Sequence, residues 1–223
     1  MSKIIFMLTQ SEENYLKAIF SLSEQYSEIV STNLLSEKMK TKPSSVTDML
    51  RKLADKSLVS YLKYQGCELT EKGKESALQI IRKHRLWEVF LVEKLNFGWE
   101  EVHDIAEQLE HIKSTKLTDK LDEFLHFPRF DPHGDPIPDR NGKFSNDQKN
   151  KKLSLSSIND EVIITGVEDG AVEFFQFLKH CKIELGTKVK IVAKYNFDQS
   201  VLISINEKEI VLSELVSQKI FVQ

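Results

Sequence analysis

The sequence of 223 residues is poor in cysteine, proline and glycine. Its two cysteines, Cys67 and Cys181, lie too far apart to form a CxxC metal or redox motif, and a disulfide scaffold is excluded. Only 8 glycines and 5 prolines exclude collagen-like and low-complexity chains. No run of about 18 apolar residues is present, and the first residues lack the features of a signal peptide. We therefore expect a cytoplasmic protein with no membrane partner.

The sequence also lacks the usual signatures of enzymes. GxSxG, HExxH, Walker and GxGxxG motifs are all missing, and nothing specifies a pocket for a small-molecule substrate. The charges nearly balance, with 31 lysines and arginines against 34 aspartates and glutamates, a net charge of −3. A chain longer than the typical domain of about 150 residues should form two compact units or one unit with an appendage. These features predict a globular protein that is not an enzyme.

Three helical segments and a hairpin are predicted in the first 75 residues. The helices lie in SEENYLKAIFSLSEQ, NLLSEKMK and VTDMLRKLADKSLV, with Ser11 as the cap of the first helix and Ser44 and Ser45 as caps of the third. VSYLKY and CELTEKG are typical of short strands that meet at the turn Gln65-Gly66. This order of elements predicts a winged helix-turn-helix domain over residues 1–75.

Positive charge is concentrated in this predicted domain. Between Lys38 and Lys74 there are nine basic and four acidic side chains, a net charge of +5 in an acidic chain. That pattern predicts double-stranded operator DNA as the partner, with the third helix in the major groove. The alternative is a winged helix that contacts protein. The predicted DNA-binding residues are Ser44, Ser45, Thr47 and Asp48 near base edges, Arg51 and Lys52 near phosphates, and also Lys42 and Lys63.

The remaining chain is predicted to change from helical to strand-rich. Helical patterns continue over residues 76–144, and their surplus of apolar stripes predicts a helical dimerisation domain that pairs with a second copy of the chain. A polar linker is predicted over 145–157. In residues 158–223, VIITGV, KVKIVAKY, SVLISI and EIVLSEL are typical of strands, and AVEFFQFLKHC is typical of a helix. The predicted fold class is mainly α with a small C-terminal β-barrel.

Histidines and carboxylates recur at helical spacing in the middle of the chain. Four of them are spaced to share one face of one helix, namely His103, Glu107, Glu110 and His111. On the preceding helix His84 and Glu88 are four residues apart, so two helices could present imidazoles and carboxylates to a common space. The spacing supports a metal site and two solvated amphipathic faces about equally.

The chemistry of these side chains narrows the choice of metal. Carboxylates and imidazoles without thiolates favour Mn²⁺ or Fe²⁺ in octahedral sites over a tetrahedral structural zinc. A carboxylate-rich site could also activate water or oxygen, which leaves a metalloenzyme as an alternative. The histidines outside the spaced set are predicted to be loop, packing or surface residues, namely His126, His133 and His180.

Six segments together resemble one family of regulators. SEENYLKAIF, KPSSVTDMLRKL, LTEKG, RKHRLWEVFL, EVHDIAEQLEH and PHGDPIP, in this order, resemble the diphtheria toxin repressor and manganese transport regulator family over roughly residues 7 to 140. The resemblance implies a homodimeric, metal-activated transcriptional repressor of metal-uptake genes. It also implies a winged-helix domain, a helical dimerisation and metal domain, and an SH3-like C-terminal domain.

The resemblance further implies two metal sites per subunit, for Mn²⁺ or Fe²⁺. The primary site would use Asn14, Glu107, Glu110 and His111. The ancillary site would use His84, Glu88 and His103, completed from the SH3-like domain by Glu173, Glu168 or Asp169. Iron-sensing members typically have cysteine at the position of Glu107, so the carboxylate favours manganese. The alternatives are a winged-helix regulator of an organic ligand, a carboxylate-helix metalloenzyme and a metal-buffering protein.

Overall fold

The computed structural model describes residues 8–26, 29–62, 65–98, 101–144, 151–167 and 172–223. The first part of the chain forms helices α1 (Gln10–Gln25), α2 (Thr32–Lys38), α3 (Pro43–Asp55), α4 (Glu71–Leu95), α5 (Val102–Leu109) and α6 (Thr115–Phe124), with strands β1 (Val59–Leu62) and β2 (Gly66–Leu69). The second part forms strands β3 (Lys151–Lys152), β4 (Glu161–Val167), β5 (Lys188–Lys194), β6 (Val201–Ile205), β7 (Lys208–Leu212) and β8 (Ile220–Val222), with helices α7 (Val172–His180) and α8 (Glu214–Ser217).

These elements belong to two compact units. The first unit comprises Met1–His84, Glu107–Asp119 and Pro138–Lys143. The second unit comprises Arg85–Ala106, Lys120–Ile137 and Phe144–Gln223. Of the helices in the described residues, none combines the length and the apolar character that crossing a membrane requires.

The first unit contains the predicted winged helix-turn-helix. Helices α1, α2 and α3 are followed by the antiparallel pair β1–β2, in which Val59 faces Leu69. Leu16, Leu35 and Leu50 come from the three different helices and are fully buried in one core. Burial of one such leucine side chain contributes about 1.5–3 kcal/mol, so this core holds α3 firmly in place.

The ends of the helices differ from the predicted ones. The cap of α1 is Thr9, which exchanges hydrogen bonds with Glu12 in a capping box, and not Ser11. Ser44 and Ser45 are not caps of α3, because Pro43 occupies its first turn and leaves both serines inside the helix. The long helix α4 begins at Glu71, earlier than expected, since the hydroxyl of Thr70 accepts a hydrogen bond from the Gly73 amide.

The C-terminal part of the second unit is an antiparallel sheet, which confirms the predicted small β domain. Six strands follow the order β3-β8-β4-β5-β6-β7, and α7 packs on the sheet through the fully buried Leu178. Strands β3 and β8 escaped prediction because they are only two and three residues long. The predicted strand EIVLSEL ends at Leu212, since the Ser213 side chain caps α8.

The predicted linker is partly ordered into this sheet. Residues 145–150 lie outside the described residues. Lys151–Lys152 form β3, which pairs with β8, and Leu153 is fully buried. The helical part of the second unit has a separate small core that contains Leu86, Val89, Leu121, Leu125 and Ile137.

Candidate metal centres and DNA-binding surface

The helix that was predicted to present four ligands on one face is shorter than expected. Helix α5 carries His103 and Glu107 but ends at Leu109, so Glu110 and His111 lie in the turn that follows. The prediction of a single helical face was therefore wrong. The amide of Ile112 donates a hydrogen bond to the carbonyl of Leu109, which closes the end of the helix in a tighter turn.

Polar side chains of the first unit nevertheless come together around Glu110. We name this group the first cluster, and its members are Glu13, Lys17, His84, Glu107, Glu110 and His111. The Oε2 atom of Glu110 lies 2.6 Å from Nδ1 of His84 and 2.8 Å from Nζ of Lys17. The Glu110 side chain is fully buried. Burial raises its pKa, but the hydrogen bond with His84 and the charge of Lys17 outweigh burial, so the pKa lies below its usual value.

The imidazole of His111 is oriented by a carboxylate that was not predicted. Its Nδ1 atom lies 2.6 Å from Oε2 of the buried Glu13. A metal-binding histidine generally donates its second ring N–H to such an acceptor, which leaves the other nitrogen free for the ion. Here the free atom is Nε2, and it lies 3.9 Å from Oε1 of Glu110. Glu13 therefore holds the ring in an orientation suited to a shared ion.

An acceptor atom without a donor makes the first cluster suited to a cation. Oε1 of Glu110 is buried and, within the described residues, has no hydrogen-bond donor, and the same is true of Oδ1 of Asn14 on α1. A buried acceptor without a donor is costly, and a divalent ion bound between Oε1 of Glu110 and Nε2 of His111 would satisfy the carboxylate. Glu107 is half-exposed, and its Oε1 lies 3.2 Å from Nζ of Lys17. The predicted primary ligands Asn14, Glu107, Glu110 and His111 thus all lie in the first unit.

A second cluster lies in the second unit and includes two residues that sequence reasoning missed. Glu88, Asp131 and His133 are all buried, and each offers a ligand atom within 4.8 Å of the others. Nδ1 of the predicted ligand His103 lies 3.4 Å from Oε1 of Glu88, and Nδ1 of His133 lies 3.6 Å from the same oxygen. The DxH spacing within FDPHGDPIP was the available signal, because it places a carboxylate and an imidazole in one short turn.

Asp131 has an unusual electrostatic environment. Its burial raises its pKa to about 7, and the negative charges of Glu88 and Asp135 act in the same direction. Arg85 opposes this shift from 3.5 Å, and the Oδ1 atom accepts hydrogen bonds from the amides of His133 and Asp135, both at 2.9 Å. A carboxyl group that is poorly stabilised as an anion is suited to binding a cation.

Backbone contacts position the loop that carries His133. Its carbonyl accepts a hydrogen bond of 2.6 Å from the Val167 amide at the end of β4, and its ring packs edge-on against Phe175 at 5.5 Å. Gly134 and Gly166 lie back to back, because a Cβ atom on Gly166 would be only 2.4 Å from the Gly134 Cα. Two glycines are therefore required where the loop meets the sheet.

The remaining predicted ancillary ligands are His84, Glu173, Glu168 and Asp169. His84 lies one helical turn before Glu88 on α4, and its Nδ1 atom contacts Glu110 in the first unit. Glu173 is exposed in the first turn of α7. Glu168 and Asp169 lie outside the described residues.

The predicted DNA-binding residues are exposed around the start of α3. Lys42, Ser44, Ser45, Asp48, Arg51 and Lys52 are exposed and Thr47 is half-buried, whereas Lys63 lies outside the described residues. Arg51 forms a solvent-exposed ion pair of 3.4 Å with Asp48. A concave surface beside them is lined by Ser36, Glu37, Lys40, Thr41, Lys42 and Ser45. Side chains at the start of this helix are therefore free to contact DNA.

Large apolar side chains are exposed on the helical part of the second unit. Leu95, Phe124 and Phe127 are 51%, 57% and 65% exposed. The rings of Phe90 and Phe124 lie 6.3 Å apart, and the ammonium of Lys94 lies 5.8 Å from the Phe124 ring. Clustered exposed aromatic residues of this kind are typical of a protein–protein interface.

The chain has a winged helix, buried carboxylate–histidine clusters and an exposed apolar helical surface. Together these features are typical of a metal-responsive DNA-binding protein. Residues 7–67 match the N-terminal DNA binding domain of the iron dependent repressors, and residues 70–139 match their metal binding and dimerisation domain. Residues 151–223 match the FeoA domain. The chain therefore belongs to the diphtheria toxin repressor and manganese transport regulator family of transcriptional repressors, as its motifs predict.

Individual relatives and a solved structure are also similar to this chain. An HTH-type transcriptional regulator of Methanocaldococcus jannaschii is 36% identical over 118 residues, which are 53% of this chain and 94% of that protein. A solved structure of a manganese-dependent transcriptional repressor in complex with manganese superposes with a TM-score of 0.78 at 32% identity, covering 95% of this chain and 98% of that one. A probable metal transport system membrane protein of Chlamydia trachomatis is 36% identical over 62% of this chain, which spans only 32% of that protein.

Proposed function

We propose that the protein is a homodimeric repressor of metal-uptake genes that binds operator DNA when Mn²⁺ occupies the first cluster. The observation that carries this proposal is the pair of buried acceptors without donors, Oε1 of Glu110 and Oδ1 of Asn14. With Nε2 of His111, which lies 3.9 Å from Oε1 of Glu110, they are the oxygen and nitrogen ligands that we propose for a hard divalent ion. Family membership supports the function, and the absence of thiolate from this set favours Mn²⁺ over softer ions.

The first cluster is joined to the winged helix through α1. Asn14 and Glu13 lie on α1, whereas Glu110 and His111 lie after α5, so ligands from separate segments would hold one ion. An ion held there would supply a positive charge to Oε1 of Glu110, which has no hydrogen-bond donor within the described residues. Glu13 orients His111, and the neighbouring Glu12 accepts a 2.6 Å hydrogen bond from Lys56, which directly follows α3. Adjacent carboxylates on α1 thus contact both the metal ligands and the end of the recognition helix.

Fixing α1 in this way would favour DNA binding through the geometry of a dimer. Two recognition helices must be spaced about one DNA turn apart, roughly 34 Å, to enter successive major grooves. A ligand that restricts the positions of these helices increases the fraction of dimers with the correct spacing. Couplings of this kind amount to about 1–3 kcal/mol, or 5- to 150-fold in affinity. We place the dimer interface on the exposed apolar surface that includes Leu95, Phe124 and Phe127.

The second cluster is proposed to hold a second ion in each subunit. Glu88, Asp131 and His133 would be its ligands, and His103 is a candidate fourth ligand because of its 3.4 Å contact with Glu88. This set keeps Glu88 and His103 of the predicted ancillary site. It adds His133, which lies in the PHGDPIP segment, and Asp131, which directly precedes that segment. Gly134 of this loop packs against Gly166 of β4, so an ion bound at the second cluster would also restrain the sheet.

A DNA-binding titration tests the proposed function. Protein stripped with a chelator is titrated onto labelled DNA from upstream of manganese and iron transporter genes, with and without Mn²⁺, and binding is followed by fluorescence anisotropy. We expect tight binding only with the metal. Glu110→Ala and His111→Ala should abolish the response to Mn²⁺, whereas Gln108→Ala, an exposed neighbour on α5, should retain it.

Other outcomes would favour the alternatives. DNA binding that is insensitive to chelator would contradict the proposal and favour a regulator of an organic ligand. Metal binding without any effect on DNA would favour a metal-buffering protein. A normal Mn²⁺ response in both Glu110→Ala and His111→Ala would reject the site assignment while leaving the family function intact.

A further inference from the structure

The C-terminal end of α3 has a fixed backbone structure. Ser57 adopts a left-handed conformation with a φ of 57°, and its amide donates a 2.8 Å hydrogen bond to the carbonyl of Ala54. The Leu58 amide donates a 3.0 Å hydrogen bond to the carbonyl of Leu53. These two bonds form a Schellman motif, in which Lys56 is the cap of the helix. A contact between Lys56 and another element therefore restrains the whole recognition helix.

The start of α4 contacts the backbone of this end. The side chain of Lys72 donates a 3.2 Å hydrogen bond to the carbonyl of Lys56. The Thr70 hydroxyl, directly before α4, donates a 2.9 Å hydrogen bond to the carbonyl of Ser57. The same helix carries His84 of the first cluster. Both acceptors are backbone carbonyls, so these contacts do not depend on which side chain occupies position 56.

Helix α1 contacts the same end of α3 through a side chain. The Nζ atom of Lys56 lies 2.6 Å from Oε1 of Glu12. The two side chains are 23% and 6% exposed, so salt screens this ion pair less than a pair on the surface. The other carboxylate oxygen of Glu12 accepts a 2.9 Å hydrogen bond from the Thr9 amide, within the capping box of α1. The carboxylate is therefore fixed to its own helix while it binds the end of α3.

The next residues of α1 face the first cluster. Oε2 of Glu13 lies 2.6 Å from Nδ1 of His111, and Asn14 carries one of the two buried acceptors without a donor in the described residues. Consecutive side chains of a helix point about 100° apart, so neighbouring residues reach different partners. An ion bound in the first cluster would restrain α1, and the ion pair of Glu12 with Lys56 would extend that restraint to α3.

We propose that Lys56 is a positioning residue for metal-dependent DNA binding, and that it acts through its ion pair with Glu12. This inference rests on the proposed role of the first cluster in Mn²⁺ binding. With the pair intact, the recognition helix follows α1 when an ion restrains that helix. Without the pair, the ion still binds, but α3 loses this contact with α1, and the ion increases DNA affinity less.

Measurements of metal and DNA binding on Lys56 variants test the proposal. DNA affinity is measured by fluorescence anisotropy with and without Mn²⁺, at a salt concentration low enough for the metal-free protein to bind. The ratio of the two affinities is the gain that the metal produces. We expect Lys56→Met, which keeps the aliphatic part of the side chain, to lower this gain about fivefold or more. Mn²⁺ affinity without DNA, measured by equilibrium dialysis, should change less than about twofold, whereas the effect of DNA on Mn²⁺ affinity should fall by the same factor as the gain.

Glu12→Gln distinguishes this role from a direct contact of Lys56 with DNA. Glutamine also functions at this capping position, so the variant keeps the cap of α1 and loses the charge that binds Lys56. Removal of a negative charge should strengthen DNA binding in general, whereas the proposal predicts a smaller gain from the metal. Because the two residues act as one pair, the double variant should lose no more of the gain than either single variant. Lys56→Arg retains the positive charge and should keep the gain.

Two exposed residues of the same types provide matched controls. Glu24→Gln on α1 and Lys116→Met on α6 remove the same charges as the test variants. Neither should change the gain that the metal produces. Folding of each variant is checked by circular dichroism.

The outcomes separate this inference from the proposed function. If Mn²⁺ produces no gain in the wild-type protein, both proposals fail. If the wild type responds but Lys56→Met and Glu12→Gln keep the full gain, only the role of Lys56 is rejected. An equal loss of DNA affinity with and without Mn²⁺ would also overturn it, and would make the ion pair a structural contact of the winged helix.

Discussion

Asp131 offers a direct test of the second cluster, because a metal ligand that is costly without its ion should destabilise the metal-free protein. Its carboxyl group is buried, and its pKa is raised from 3.8 to about 7 by that burial and by Glu88 and Asp135. Asp131→Asn removes the ionisable group. The amide can still accept the hydrogen bonds that the His133 and Asp135 amides donate to Oδ1. We therefore predict that this variant is more stable than the wild type in the absence of metal.

The sign and the size of the effect follow from proton linkage. A group whose pKa is raised on folding contributes most at low pH, and this contribution is lost as pH rises from 3.8 through about 7. A shift of this size corresponds to up to about 4 kcal/mol at 1.36 kcal/mol per unit. This shift already includes the opposing charge of Arg85, which lies 3.5 Å away. We expect Asp131→Asn to raise the free energy of unfolding by about 2–4 kcal/mol at pH 8 and to change it little near pH 4.

Urea unfolding followed by circular dichroism at pH 4, 6 and 8, in the presence of a chelator, measures this difference. Glu209→Gln is the matched control, because this exposed carboxylate on β7 should change stability by less than about 0.5 kcal/mol. With saturating Mn²⁺ the order should reverse, since ion binding stabilises only the protein that retains its ligands. Lower stability of Asp131→Asn at pH 8 without metal would refute the reasoning and make Asp131 a structural partner of Arg85.

Three further predictions concern the loop, the dimer and the DNA. Gly166→Ala should destabilise the protein by about 1–3 kcal/mol and weaken metal binding at the second cluster, measured by urea unfolding and dialysis, because its Cβ would clash with Gly134. Phe124→Arg should shift the protein to monomers in analytical ultracentrifugation, whereas Phe197→Arg, also exposed, should not. Arg51→Gln should weaken DNA binding and flatten its salt dependence by about 0.9 in the slope of log affinity against log salt, if the side chain contacts one phosphate.

Regular elements of the fold could be predicted because their signals are local. The apolar stripe of α3 and the alternation in β6 follow directly from helical and strand periodicity. Helix ends were harder, since Thr9 and Thr70 accept hydrogen bonds at the starts of α1 and α4, and Pro43 begins α3 before the serines that were predicted as caps. The short strands β3 and β8 carry too few residues for a periodic signal, and only their pairing in the folded sheet defines them.

The candidate sites were predictable only where ligands share a helix. The four-residue spacing of His84 and Glu88 is visible in the sequence, but the end of α5 at Leu109 changed the geometry of the residues that follow. Glu13 was missed because the tertiary fold brings it to His111. Asp131 stands two residues before His133, a local signal that was not used, and only the tertiary fold brings both residues to Glu88. In the first case the partners, Glu13 and His111, are 98 residues apart in sequence. Such long-range pairs leave no periodic pattern.

The two clusters compensate buried carboxylate charge in different ways. In the first cluster the ammonium of Lys17 bridges Glu107 and Glu110, and the Glu110 carboxyl has a pKa below its usual value. In the second cluster Asp131 has a pKa of about 7, so at neutral pH a proton provides part of the compensation. A metal ion that binds the second cluster would have to displace that proton, whereas the Lys17 ammonium stays with the chain. We therefore expect metal binding at the second cluster to strengthen as pH rises through 7, and metal binding at the first cluster to depend less on pH in this range.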